Sequence, residues 1–275
     1  MNDELVSILI RTINGQFETL KRSIKSISNQ LYQNIEVIVI YQGLDDKYYE
    51  KIKTLDENFP NLAFQFIQNR TSKDERSKNL NLGIEASNGR YFGVLDDDDI
   101  FYNNHVSTLV GLLKNSDNAW ACTQTIMGKD MGDKIIEVDK KIQDVQLTEN
   151  KVPNVNNIFM ISFLVDKTKI PKELLKFNEN IKFAEDRDFV LALVNNGYNP
   201  VCSAEFTSLS TGVKSHRVNH FKYYRAKYKI EIIAELLGIL GLIFSLFKEG
   251  QKTFMYLFGF KCKLKNIKGV ENENS

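Results

Sequence analysis

Apolar and polar positions alternate in blocks along the first hundred residues, and the length and period of each block point to its element. Leu5–Ile10 is a short apolar run ended by the polar loop RTINGQ. Phe17, Leu20, Ile24 and Ile27 then recur at three- and four-residue spacing, which predicts an amphipathic helix. Ile35–Tyr41 (IEVIVIY) predicts a buried strand, Tyr48–Leu55 a second helix and Ala63–Ile67 a third strand. Leu80–Ala86 predicts a helix closed by Asn88-Gly89, a C-terminal stop signal, and Tyr91–Leu95 a fourth strand. Strands alternating with helices predict an α/β fold around a mostly parallel sheet. In such sheets ligands bind beyond the carboxyl ends of the strands. The loops RTING, YQG and DDDD lie at such ends, so three polar loops are expected to converge on one crevice.

Beyond residue 105 the pattern predicts a helix near Val106–Leu113 and strands near Ala119–Ile126 and Ile158–Val165. The segment IKFAEDRDFVLALVNN places Glu185 and Asp186 ahead of an apolar-periodic helix, with Gly197 as its cap. The chain has no internal repeat.

Composition adds bounds. A chain of 275 residues with 43% hydrophobic and 26% charged residues has the make-up of a globular protein with a proper core. Its cysteines, Cys122, Cys202 and Cys262, are far apart and odd in number. That argues against a disulfide framework, fits a reducing cytosol and offers no zinc spacing. The opening MNDELVSILIRT is acidic and then strand-like, unlike a secretory signal. The net charge of +1 hides an asymmetry: between Lys214 and Lys268 basic residues exceed acidic ones by nine, so the rest of the chain is acidic.

The aspartates Asp96–Asp99 carry the chemistry. Four adjacent carboxylates repel one another, and a fold gains nothing from such a run unless a cation answers it. One reading is a solvated acidic turn. A second is a phosphatase of the haloacid dehalogenase kind, although that motif sits near the start of the chain and continues with Thr or Val. A third is a D-x-D site in which hard carboxylate oxygens hold Mg²⁺ or Mn²⁺ together with a nucleotide diphosphate.

The remainder of the chain favours the third. VSILIRTINGQFETLKRSIKSISNQLYQNIEVIVI resembles the opening of family 2 glycosyltransferases of the GT-A fold, NLNLGIEASNGRYFGVLDDDD resembles their aspartate segment, and AEDRDF resembles the ED motif that supplies their catalytic base. The blocks fall in the family's order over roughly residues 5–200. The resemblance implies a GT-A domain over 1–215 and an inverting, metal-dependent transfer from a nucleotide-diphosphate sugar. It implies Asp96 and Asp97 on the nucleotide, Asp98 with Asp96 on the metal, Thr12 lining the nucleotide, Arg76 and Lys78 near phosphate, Asp186 as general base and Glu185 as its positioning neighbour. A His downstream of the base, here His216, supplies a further metal ligand in several such enzymes. Asp99 reads equally as a helix-capping acid, and His105 matches a recurrent family spacing without a derivable role. Where the family ends its second strand in an Asp pair, this chain has Tyr41 and Gln42; a Gln amide both donates to and accepts from a uracil or thymine edge. The expected partners are therefore a UDP-sugar, or a dTDP-sugar, and a glycan or lipid-linked acceptor of surface-polysaccharide synthesis. A member that has lost catalysis and binds a nucleotide or a partner is the non-enzymatic alternative.

Residues 216–275 read as a basic, helical extension. Leu236–Phe247 is uncharged and too short to span a bilayer, which needs about 20 residues. Flanked by lysines, arginines and tyrosines, it reads as an interfacial membrane anchor on the cytoplasmic face, or as a helix packed on protein. A nucleic-acid patch would leave its apolar core unexplained.

Overall fold

The β-branched residues of IEVIVIYQ lose χ1 freedom in a helix and pack well on a pleated surface. They form strand β2 (Ile35–Gln42), buried along all but its last residue. A computed structural model of the chain describes residues 3–130, 135–139, 158–181, 184–211, 245–249, 252–257 and 260–263. Strand β1 (Val6–Ile13) leads to helix α1 (Phe17–Ser28), and β2 is followed by helices α2 (Asp46–Lys53) and α3 (Leu55–Asn58). Strand β3 (Ala63–Asn69), helix α4 (Arg76–Ala86) and strand β4 (Tyr91–Val94) complete the regular half. Then come β5 (Ile100–Phe101), α5 (His105–Lys114), β6 (Trp120–Asp130), β7 (Ile135–Asp139), β8 (Phe163–Asp166), α6 (Glu185–Asn195) and β9 (Val201–Ser210).

The strands run in the order β3-β2-β1-β4-β8-β6-β9-β5, with β7 paired to β6. The β3-β2-β1-β4 half is wholly parallel, and β8 lies antiparallel between β4 and β6, which starts a mixed half. Helices cover both faces. Leu20, Ile24, Ile52, Val106 and Leu109 belong to the core on one face, and Leu80, Phe189, Val190 and Leu193 to the core on the other. Helix α1 buries Leu20, Ile24 and Ile27, three of the four positions its period assigned, while Phe17 is half-buried against the same core.

Three expectations change. Asn88-Gly89 is not a helix stop: its backbone N–H groups donate to the buried Glu36 carboxylate at 2.7 and 3.1 Å. Glycine is needed at 89 because a Cβ there would meet the Leu5 carbonyl at 2.7 Å. The predicted strand Ile158–Val165 begins only at Phe163, since Met160–Ser162 closes a 3-10 turn on Phe159 through the Ser162 N–H and hydroxyl. Cys122 and Cys202, 80 residues apart in sequence, are register partners on the parallel β6–β9 pair and form a disulfide with a Cα–Cα distance of 4.6 Å. Long sequence separation gave no hint of that pairing, and cysteine usage no longer argues for a reducing compartment.

The chain divides into two compact units, Met1–Val213 and Lys214–Ser275. Within the second, β10 (Ser245–Glu249), β11 (Lys252–Leu257) and β12 (Phe260–Lys263) form an antiparallel meander. The expected helical character is therefore corrected for these residues. Strand-favouring Thr253, Phe254 and Tyr256 account for the difference. Residues 212–244, with His216 and most of the predicted apolar helix, lie outside the described residues. Among the described residues no helix is long and apolar enough to cross a membrane.

Candidate active site

Leu9 on β1 is the register partner of Val94 on β4, so the residues that follow on both strands emerge side by side at the carboxyl edge. From β1 come Arg11 and Thr12; from β4 come Leu95 and the aspartates. Thr12 Oγ1 donates to Asp97 Oδ2 at 2.5 Å, and Arg11 Nε lies 3.2 Å from Asp96 Oδ1. The same guanidinium reaches the head of α6, where Nη1 lies 2.5 Å from Glu185 Oε1. Arg11, 85 residues from Asp96 and 174 from Glu185 in sequence, thereby joins the aspartate loop to the ED segment through β1.

The loop is fixed from beneath. Asp99 is 2% exposed, its N–H donates to the Asp96 carbonyl, and its Oδ1 accepts the Thr211 N–H at 2.7 Å. Asp99 therefore caps no helix; it ties the exit of β9 to the loop. The Asp98 carbonyl accepts from Thr211 Oγ1 at 2.6 Å and from Arg22 Nη2 at 3.3 Å, and Arg22 also pairs with Asp130 at 2.7 Å.

Electrostatics follow from burial. Desolvation pushes the Asp97 carboxyl up to about 7; Asp98 and Asp96 add to the rise, while the Thr12 hydroxyl and Arg11 oppose it. Burial also raises Asp186, and Glu185 raises it further, against the Arg187 N–H and Arg11. A helix start favours a carboxylate; at Asp186 burial and the neighbouring Glu185 act against that and raise its carboxyl above the usual aspartate value. Arg11 itself is held firmly protonated: burial disfavours its charge, but Asp96 and Glu185 outweigh burial.

Just before the acid pair, Ala184 has φ 60° and ψ 38°, a left-handed conformation rare for a residue with a Cβ. Backbone strain of this kind gathers at functional sites. Helix α6 has no side-chain N-cap, and Glu185, Asp186 and Asp188 all lie in its first turn.

The other candidates are placed as follows. Gln42 ends β2, and its Oε1 accepts from the Glu75 N–H at 3.0 Å and from Asn79 Nδ2 at 2.8 Å. The acceptor half of that amide is thus committed to the protein, and Nε2 is left as the donor. Tyr41 fills a buried aromatic group with Tyr48 and Tyr49, and its hydroxyl bonds the Asn14 side chain. A Cβ at residue 43 would run into the Tyr41 ring, which explains Gly43. Arg76 and Lys78 lie in the first turn of α4 but pair with Asp74 at 3.1 Å and Glu75 at 3.0 Å, on exposed surface. His105 is a core residue, stacked 3.9 Å from the Phe101 ring centroid and bonded to Thr207 at 2.7 Å.

Arg11 and Arg22 were not singled out from the sequence. The signal for Arg11 was there: an arginine directly following a buried apolar strand must find a partner. Arg22 sits on the polar side of an amphipathic period, which gives no such warning.

Among the described residues no three His, Cys, Asp or Glu side chains converge as a ready-made metal cage. Nucleotide-linked Mg²⁺ is held by one or two carboxylates plus phosphate oxygens, so the chemistry of the loop decides the fit. Asp97 is pushed up by burial and by two flanking carboxylates, with Arg11 the cation that answers. Such an oxygen donor set suits a hard divalent cation, and Asp98 and Asp96 are the residues the family resemblance would assign to hold it.

Comparison with known proteins follows the same outline. The model described as Glycosyl transferase family 2 matches residues 7–167. An uncharacterized glycosyltransferase of Rickettsia typhi is 26% identical over 188 residues, which are 67% of this chain and 57% of that protein. An uncharacterized glycosyltransferase of Haemophilus influenzae is 27% identical over 251 residues, 89% of this chain and 94% of that protein. Against the Rickettsia relative the chain spans just over half of the partner's length. Among solved structures, S. aureus TarS in complex with UDP-GlcNAc superposes with a TM-score of 0.61 at 15% identity, covering 76% of this chain and 59% of that one. A mannosyltransferase from Pyrobaculum calidifontis in complex with GDP-Man and Mn²⁺ is likewise similar in fold, with 14% identity and coverage of 78% of this chain and 58% of that one. The family model spans more than half of the chain, from β1 through the aspartate loop to β8, and the chain belongs to glycosyl transferase family 2.

Proposed function

We propose that this chain is an inverting, divalent-metal-dependent glycosyltransferase that moves a sugar from a nucleotide-diphosphate donor to a hydroxyl of a glycan or lipid-linked acceptor. A UDP-sugar is the favoured donor and a dTDP-sugar the second. The carrying observation is the Arg11 bridge, which sets Asp96 of the donor-side loop and Glu185, next to Asp186, around one guanidinium. Family membership and the donors held by like-folded proteins, UDP-GlcNAc and GDP-Man with Mn²⁺, support the donor class and the metal.

In this reading Thr12, Asp96 and Asp97 hold the nucleotide end of the donor. Asp186 takes the proton of the acceptor hydroxyl as its oxygen bonds the sugar C1. The bond from C1 to the diphosphate breaks on the opposite face, and its electron pair leaves with the nucleotide. The transition state has oxocarbenium character, as in glycosidases. Asp98 and Asp96 are the residues that would hold a divalent cation, which would supply charge to offset the leaving diphosphate. Gln42 Nε2 is the donor left to face a base, with Arg76 and Lys78 nearby in α4 for phosphate.

The basic second unit supports a place for the enzyme at the inner face of the cell membrane, where lipid-linked acceptors of surface polysaccharides reside. Lysines near anionic headgroups add about 1 kcal/mol each. Flotation of the full chain on anionic liposomes, lost on truncation before His220, is the expected result; equal flotation of both would reassign the tail to packing.

A thermal-shift screen of UDP, dTDP, GDP and CDP with and without Mn²⁺ tests the donor reading, since a ligand of the folded state raises stability by mass action. A metal-dependent shift with UDP or dTDP is expected. No shift with any nucleotide, and no turnover of their sugars, would overturn the assignment.

A further inference from the structure

We propose that Arg11 is a positioning residue for the transfer step: one guanidinium holds Asp96 and Glu185, fixes the head of α6 against the aspartate loop and leaves Asp186 open to the acceptor hydroxyl. The inference rests on the reading of Asp186 as the base and gives a role to an arginine that the family's opening block contains but to which the resemblance assigns none.

The geometry divides the work among three carboxylates. Arginine's planar fork presents several N–H donors at fixed angles. Here Nε serves Asp96 and Nη1 serves Glu185. Asp186 is not bonded to Arg11; its Oδ1 accepts the neighbouring Arg187 N–H at 2.8 Å. Two acids are thus committed to the cation and the third keeps an oxygen for chemistry. Glu185 is 5% exposed, and a charge buried to that degree needs a partner.

The head of α6 also needs an external hold. It follows the left-handed Ala184 and has no side-chain cap. Asn81 fixes the segment further upstream by donating to the Phe177 carbonyl at 3.0 Å and to Glu179 at 2.8 Å. Between that anchor and the helix, Arg11 ties Glu185 to β1.

Removing Arg11 leaves Glu185 as an uncompensated charge beside Asp186. A like charge raises the proton affinity of its neighbour, so a larger share of Asp186 would already carry a proton and could not take one from the acceptor hydroxyl. This predicts a rescue: removing the Glu185 charge as well should restore part of what the loss of Arg11 costs.

The test compares the full-chain wild type with Arg11→Met, Arg11→Lys, Glu185→Gln and the double variant Arg11→Met/Glu185→Gln. The first measurement is UDP release from UDP-GlcNAc with Mn²⁺. The second is a ¹³C NMR titration of the Asp186 side-chain carboxyl, which needs no turnover. Arg11→Met should lower kcat about 100-fold, and the double variant should regain about tenfold of that loss. Arg11→Lys, which keeps the charge but not the fork, should fall between wild type and Arg11→Met. The Asp186 titration midpoint should rise in Arg11→Met and return toward wild type in the double variant. A double variant no better than Arg11→Met, with an unmoved midpoint in both, would overturn the proposal, as would Arg11→Met with wild-type kinetics. If the wild type turns over no nucleotide sugar, the proposed activity fails instead, and the midpoint still decides the role of Arg11.

Discussion

Thr12 and Asp97 meet across the β1–β4 edge, with the threonine hydroxyl donating to the carboxylate at 2.5 Å. Thr12 is 3% exposed, so this hydroxyl substitutes for water at a carboxyl that burial drives up to about 7. Thr12→Val keeps the volume and removes the donor. Loss of one hydrogen bond to a buried charged group costs about 1.5–3 kcal/mol, divided between the fold and the donor site. We expect UDP·Mn²⁺ affinity, read by calorimetry, to fall about tenfold and Thr12→Ser to stay near wild type. Equal affinity in Thr12→Val and wild type would remove Thr12 from the donor site.

The two acids with separate roles in the proposed reaction should fail differently. Asp186→Asn keeps the shape and removes the base, so transfer should drop by about 100-fold or more while the UDP·Mn²⁺ thermal shift is retained. Asp98→Ala should lose both transfer and the metal-dependent part of the shift. Near-normal transfer by Asp186→Asn would show that the proton leaves by another route.

The regular half of the fold was legible because its signals are local. IEVIVIYQ and the 17–27 period need no partner to be read, and both elements formed where expected. The aspartate run was equally visible, since carboxylates placed together after a buried strand demand a cation. What the sequence hid depends on distant pairing. The Thr211 contact with Asp99, the Cys122–Cys202 bond and the Arg11 bridge each join residues 80 or more positions apart. Glu36 is the same case: an acid inside an apolar strand, buried to 4% exposure, is tolerated because Ser7, Gln65, Asn88 and Gly89 all donate to it. Those donors outweigh burial and hold its carboxyl below the usual glutamate value.

His105 gives the fold a defined acid sensitivity. Burial lowers its pKa from 6.5 to about 3, so the folded protein keeps the ring neutral where the unfolded chain takes up a proton. The unfolded state then binds more protons, and stability falls as pH drops from about 6.5 toward about 3, by at most about 1.4 kcal/mol per pH unit. His105→Gln removes this contribution and leaves the carboxylates unchanged. Urea denaturation at pH 7 and pH 5 should therefore find wild type ahead of the variant at pH 7 and the gap narrowed at pH 5. A gap that widens on acidification would mean that the ring is charged in the folded state.

Ala184 offers a test of strain at the entrance to the acid pair. With φ 60° and ψ 38° its Cβ crowds the following carbonyl, at a cost of about 1 kcal/mol that glycine would not bear. Glycine also loses more backbone entropy on folding, by a comparable amount. The two effects nearly cancel in stability, so Ala184→Gly should unfold within about 0.5 kcal/mol of wild type. A β-branched residue has no such relief, and Ala184→Val should lose about 1–3 kcal/mol, by strain alone. Activity should part from stability here. The left-handed residue sets the direction in which Glu185 and Asp186 enter α6, and glycine would widen the range of directions available to them. We therefore expect Ala184→Gly to keep its melting temperature yet lose several-fold in kcat, with donor affinity unchanged because Thr12 and Asp97 lie on β1 and the β4 loop. If Ala184→Gly matches wild type in kcat as well, the strained turn serves the packing of α6 and not the placement of its acids.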